Sequence, residues 1–130
     1  MYCNEVYTTR VVRMDSEQFV ERIANYASEK KATDIVVLDL RGVVGYTDFF
    51  LVCTGNTDRQ TRAIYDAIYY GIKQELQSLP AHTEGLDTGG EWVLMDYLDV
   101  IVHIFTPELR EYYRLEQLWG EVPVRKIEEK

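Results

Sequence analysis

The stretch Asp34-Ile35-Val36-Val37-Leu38-Asp39-Leu40, followed by Phe49-Phe50-Leu51-Val52-Cys53-Thr54, decides the fold class. Runs that are almost continuously apolar and rich in β-branched residues are the mark of strands covered on both faces. The pair therefore predicts the centre of a sheet, with Gly42 and Gly45 turning the chain between the strands and Gly55 ending the second. Upstream, Asp15 and Gln18 have the spacing of a capping box, and Phe19, Ile23, Tyr26 and Ala27 recur at steps of three and four, which predicts a helix over 16–31. Downstream, Asn56, Thr57 and Asp58 offer capping oxygens. Ile64, Ala67, Ile68, Ile72 and Leu76 then form one stripe of a long amphipathic helix that ends before Pro80.

The polar, glycine-rich segment from Ala81 to Gly90 leaves room for one short strand near His82 to Glu84. Two strands follow, Glu91 to Tyr97 and Val100 to Thr106, separated by Leu98 and Asp99 as in a two-residue hairpin. Such turns want positive φ at a central position, and a Leu there is costly. Thr106, Pro107 and Gly120 bracket a last helix whose apolar face is Tyr112, Leu115, Leu118 and Trp119. The order of elements predicts one α/β (α+β) domain over 15–120, with a mixed sheet of about five strands flanked by helices. Residues 1–14 read as an N-terminal extension and 121–130 as a C-terminal tail.

The chain has 130 residues with 14 Lys plus Arg against 22 Asp plus Glu, a net charge of −8. Residues 1–14 contribute +1 and residues 121–130 contribute 0, leaving −9 on residues 15–120. Such a body is repelled by phosphate backbones, which excludes free nucleic acid and anionic membranes as ligands. Its electrostatic complement is a basic protein. The longest apolar run, Phe49 to Cys53, is far below the roughly 20 residues that span a bilayer. Two cysteines, Cys3 and Cys53, make neither a disulfide framework nor a metal spacing, so a reduced, cytoplasmic protein is expected.

Several chemistries can be drawn on these residues. Asp48, Asp96, Asp99 and His103 could form a metal or acid/base cluster, but in the hairpin register Asp96 and His103 sit two cross-strand pairs apart and Asp99 belongs to the turn. Thr54-Gly55-Asn56-Thr57 could cradle a phosphate, yet it lacks the glycine spacing and lysine of a phosphate loop and reads better as a turn with an N-cap. Cys53 stands in apolar surroundings that disfavour a thiolate. The hairpin itself is more informative. Val93, Met95, Tyr97, Val100, Val102 and Ile104 suit a core. The opposite face carries Trp92, Leu94, Asp96, Ile101, His103 and Phe105, either a surface covered by a helix or a recognition patch.

At this point the residues carry a resemblance. Asp34 to Leu40, Thr47-Asp48-Phe49-Phe50, Cys53-Thr54-Gly55-Asn56-Thr57-Asp58-Arg59-Gln60, Glu84-Gly85, Trp92-Val93-Leu94-Met95-Asp96-Tyr97, Asp99-Val100-Ile101-Val102-His103 and Arg110 through Tyr113-Arg114-Leu115-Glu116-Gln117-Leu118-Trp119 stand in the order of the ribosomal silencing factor (RsfS, Iojap or YbeB) family. The match covers about residues 16–120. Leu98 departs from it where that family commonly has Gly, and Thr57 where it more often has Ser.

The resemblance implies a nucleotidyltransferase-like topology without the catalytic signature, and hence no enzyme and no cofactor. It implies a factor that binds the large ribosomal subunit through its fourteenth ribosomal protein, a basic protein at the intersubunit face. Occupying that face would block joining of the small subunit and repress translation under nutrient limitation. The expected partner surface is Trp92, Leu94, Asp96 and His103, with Tyr113 and Trp119 as contributors from the last helix, although Trp119 reads better as an anchor of that helix in the core. Two other readings remain. One is an enzyme on the same framework using Asp48, Asp96 and Asp99 with a divalent ion and nucleotide. The other is a homodimer through the hairpin face that competes with the partner.

Overall fold

A computed structural model describes residues 14–128. The extension expected over residues 1–14 lies, Met14 apart, outside the described residues. The order is α1 (Ser16–Glu29), β1 (Thr33–Asp39), β2 (Phe49–Thr54), α2 (Asp58–Leu76), β3 (His82–Glu84), β4 (Trp92–Asp96), β5 (Val100–Phe105), α3 (Pro107–Tyr113), α4 (Leu115–Leu118) and β6 (Val124–Lys126). The strands form one mixed sheet in the order β3-β4-β5-β2-β1-β6, in which β2 and β5 run parallel and all other neighbours antiparallel.

The two apolar runs lie where their composition demands. All six residues of β2 are buried, and Val36, Val37 and Leu38 of β1 pair with Val52, Leu51 and Phe50. The capping box at Asp15 is formed, with Gln18 N–H donating to Asp15 Oδ1 at 2.8 Å, and Thr57 Oγ1 accepts from Gln60 N–H at 3.1 Å at the start of α2. Both helices lie on one face of the sheet. Val20, Ile23 and Ala27 of α1 and Ile64, Ile68 and Ile72 of α2 close over Val37, Leu51, Val93, Met95, Val102 and Ile104.

Three parts differ from the sequence reading. The sheet has six strands, because β6 leaves the expected tail and pairs with β1, Val36 opposite Lys126 and Leu38 opposite Val124. The last helix is broken: Arg114 adopts φ 47°, so α3 and α4 are separate and Tyr112 and Leu118, expected on a buried face, are 78% and 72% exposed. The costly Leu98 is accommodated by a γ-turn, with φ 76° and Asp99 N–H donating to Tyr97 O at 3.0 Å. This is the rarer, strained γ-turn. Asp96 offsets the strain, since its Oδ1 accepts from Leu98 N–H at 2.8 Å.

Candidate functional site

The second face of the sheet holds its own apolar cluster of Val36, Leu38, Phe50, Val52, Ile101 and Phe105. The chain after β5 folds back over it, and Leu109, Leu115, Trp119 and Val122 pack on it. The cover is held by a polar pin. Arg110 gives its Nη1 to Asp34 O at 2.6 Å and to Thr54 Oγ1 at 2.8 Å, and its Nε and Nη2 to Glu116 Oε2 at 3.1 and 2.8 Å. Asp34 sits at φ 49° where the β1–β2 register slips, which turns its carbonyl towards the guanidinium. A cleft of about 680 Å³ lies here and is lined by Thr54, Asn56, Arg110, Arg114 and Glu116. All three nitrogens of the Arg110 guanidinium are engaged in the pin, so the cleft is the polar seam of the cover.

The backbone at the end of β2 is equally occupied. Gly55 N–H donates to Phe105 O at 2.8 Å and Asn56 N–H to Gln60 Oε1 at 2.8 Å, which makes Thr54-Gly55-Asn56-Thr57 a turn and helix cap. Cys53 is fully buried and burial pushes its thiol up to about 12. Among the described residues no group of three or more His, Cys, Asp or Glu side chains is placed to hold a metal ion.

The cover stops short of β3 and β4. The hairpin register is the one read from the sequence, with Trp92 opposite Phe105, Leu94 opposite His103 and Asp96 opposite Ile101. Trp92, Leu94 and Asp96 are therefore neighbours on one half-covered strip. Trp92 stacks on Phe105 at 5.0 Å and meets the Tyr113 ring at 4.7 Å, Tyr113 being 45% exposed.

His103 lies under this strip at 4% exposure, where it holds Trp92 and does not face outward. Trp92 Nε1–H donates to His103 Nδ1 at 3.2 Å, so the ring proton is on Nε2, which is buried with no partner among the described residues. Burial lowers the His103 pKa to about 4, and the ring is neutral at pH 7. Trp119 stands apart from Trp92 and meets Phe50 edge-on at 6.1 Å, as an anchor of the cover. Thus four of the six expected residues, Trp92, Leu94, His103 and Tyr113, form one group. Asp96 serves the turn beside it, and Trp119, half-buried, packs on the second apolar cluster as part of the cover.

Sequence reasoning missed three features. Arg110 and Glu116 pin the cover, and nothing in the sequence sets this pair apart from Glu108, Glu111 and Arg114, which carry charge in the same segment. Leu109 faces the strip from α3. The third feature is electrostatic: residues 74–109 contain seven acids (Glu75, Glu84, Asp87, Glu91, Asp96, Asp99 and Glu108) and neither Lys nor Arg. The uncovered strip lies within this segment.

A family profile described as "Ribosomal silencing factor during starvation" matches residues 13–130. The chain belongs to the ribosomal silencing factor family. Among its relatives is a "Ribosomal silencing factor RsfS" of Halalkalibacterium halodurans, 36% identical over 115 residues, covering 88% of this chain and 97% of that one. A mouse relative, 29% identical over 105 residues, is named "Mitochondrial assembly of ribosomal large subunit protein 1"; the match covers 77% of this chain and 44% of that one. A crystal structure of a Chromobacterium violaceum protein superposes with a TM-score of 0.78 at 31% identity, covering 82% of this chain and 88% of the other. Family membership associates the chain with ribosomes and translational regulation. None of the described helices is long and apolar enough to cross a membrane.

Proposed function

We propose that this silencing factor binds the large ribosomal subunit through its fourteenth ribosomal protein and, by occupying the intersubunit face, prevents the small subunit from joining, so that translation is repressed when nutrients are short. The partner places its site of action in the cytoplasm, and the action is steric, with no catalytic step. The observation that carries this reading is the uncovered strip of Trp92 and Leu94, edged by Tyr113, set in a segment that carries acids and no bases. Aromatic anchors at the centre of a patch supply most binding energy, and a one-signed rim steers a partner of opposite charge. Trp92, Leu94 and Tyr113 make the contact; His103 and Asp96 set the geometry of β4, and Trp119 keeps the cover seated.

Loss of a central aromatic anchor typically costs at least ~2 kcal/mol, about 30-fold in affinity. Trp92→Ala should therefore lose co-sedimentation with isolated large subunits while its far-UV circular dichroism stays native, and Tyr113→Ala, at a more exposed position, should weaken binding without touching the sheet. Undiminished binding by both variants would overturn the assignment.

A further inference from the structure

Beside the strip, a cleft of about 310 Å³ opens between β3, β4 and α3. That is the lower limit of the ~300–1,000 Å³ usual for small-molecule pockets, so it has room for one long side chain. Trp92, Leu94 and Leu109 supply its apolar surface, and Glu84, Thr88 and Glu91 its polar surroundings. The cleft is built by tertiary contacts. Gly85, at φ 100°, lies so close to β4 that a Cβ there would be 1.9 Å from Trp92 O, and Arg62 of α2 holds the following loop through Leu86 O at 3.1 Å. The Trp92 N–H is already given to His103, so the indole offers the cleft contact area and no donor. Glu84 Oε2 is met by His82 Nε2 at 2.7 Å, which leaves Oε1 to an incoming donor, and Glu91 is exposed.

We propose that this cleft is a socket for a single lysine or arginine side chain of a basic protein partner, its stem lying on Trp92, Leu94 and Leu109 and its cation held by Glu84 and Glu91. This rests on the reading that the β3–β4 side faces a ribosomal protein. Long cationic side chains bury their methylenes on apolar surface while the charged head stays at the wet rim, which is the pattern the cleft complements. A phosphate or an acidic peptide would meet the same carboxylates with repulsion, and a purely apolar side chain would leave them unanswered.

Two measurements test the socket. In co-sedimentation with isolated large subunits, E84Q/E91Q should bind about 10-fold more weakly with a flatter salt dependence. D66N/E128Q, which removes the same charge elsewhere, should change affinity less than about threefold. Equal behaviour of the two double variants, with wild type still bound, overturns the socket and leaves the proposed function standing; failure of wild type to sediment overturns the function.

The second measurement tests the socket independently of the ribosome. In ¹⁵N-detected titrations with tetra-arginine amide, the Trp92 indole N–H and the Leu94 amide should shift, and should not shift with tetra-citrulline amide or in E84Q/E91Q. Absence of a shift with tetra-arginine, or an equal shift with tetra-citrulline, overturns the socket whatever the subunits do.

Discussion

The two faces of the sheet are closed in different ways. On the first, α1 and α2, of 14 and 19 residues, bury whole rows of aliphatic side chains, and Val93, Met95, Val102 and Ile104 beneath them are 0% exposed. On the second, α3 and α4 have 7 and 4 residues and, among the described residues, bury none of their side chains completely. What they lack in apolar area is supplied by one guanidinium, Arg110, and they leave β4 half uncovered. Exposed apolar strips of this kind mark contact sites on proteins, and the thin cover leaves one on β4 while Phe50, Ile101 and Phe105 stay dry.

The largest effect should come from the thick side. Ile68→Ala, at a fully buried position, is expected to cost about 3–4 kcal/mol in urea unfolding, as large-to-small core substitutions do. A loss under ~1 kcal/mol would mean that the first face is packed no better than the second.

The next effect reports burial beneath the strip. The pKa of His103 is lowered from 6.5 to about 4. Between these values the unfolded chain binds a proton that the native protein refuses, so stability falls as pH drops from 6.5 to about 4 and is unaffected by this group above 6.5. At ~1.4 kcal/mol per unit the contribution is roughly 3 kcal/mol. His103→Asn can keep an acceptor for Trp92 and should lose that slope in pH-dependent urea unfolding; an unchanged slope would mean that His103 is solvated.

The smallest effect separates the two covers. Arg110→Met should strand the Glu116 carboxylate, and because the pair is 13% and 30% exposed the loss is expected nearer 2 kcal/mol than the 3–5 of a fully buried pair. Hydrogen exchange should accelerate in α3 and α4 and stay slow in α2 and β2. Equal acceleration throughout would show the second cover to be integral to the whole fold.

Much of this was readable from local patterns. The continuous runs of β1 and β2, the alternation of β4 and β5, the capping oxygens at Asp15 and Thr57 and the Pro107 start of α3 each act over a few residues, so their chemistry stands in the sequence. The hairpin register followed as well, because a loop of Leu98 and Asp99 with strict alternation leaves one pairing that keeps Val93, Met95, Val102 and Ile104 together. Placing Trp92, Leu94 and His103 on one face was thus a sequence result. That His103 is beneath the patch was not, because depth depends on what lies above.

By itself the sequence determined the central strands, the first two helices, the composition of each hairpin face, the acidity of the body and the resemblance to silencing factors. Tertiary structure decided which face the helices close, where the last helix breaks, that the expected tail adds a strand to β1, and which apolar residues stay uncovered. The physical reason is range. Periodicity and caps are set by neighbours within a turn or a strand, whereas the Arg110 pin and the cleft beside Trp92 exist because Asp34, Thr54 and Arg62 arrive from distant parts of the chain.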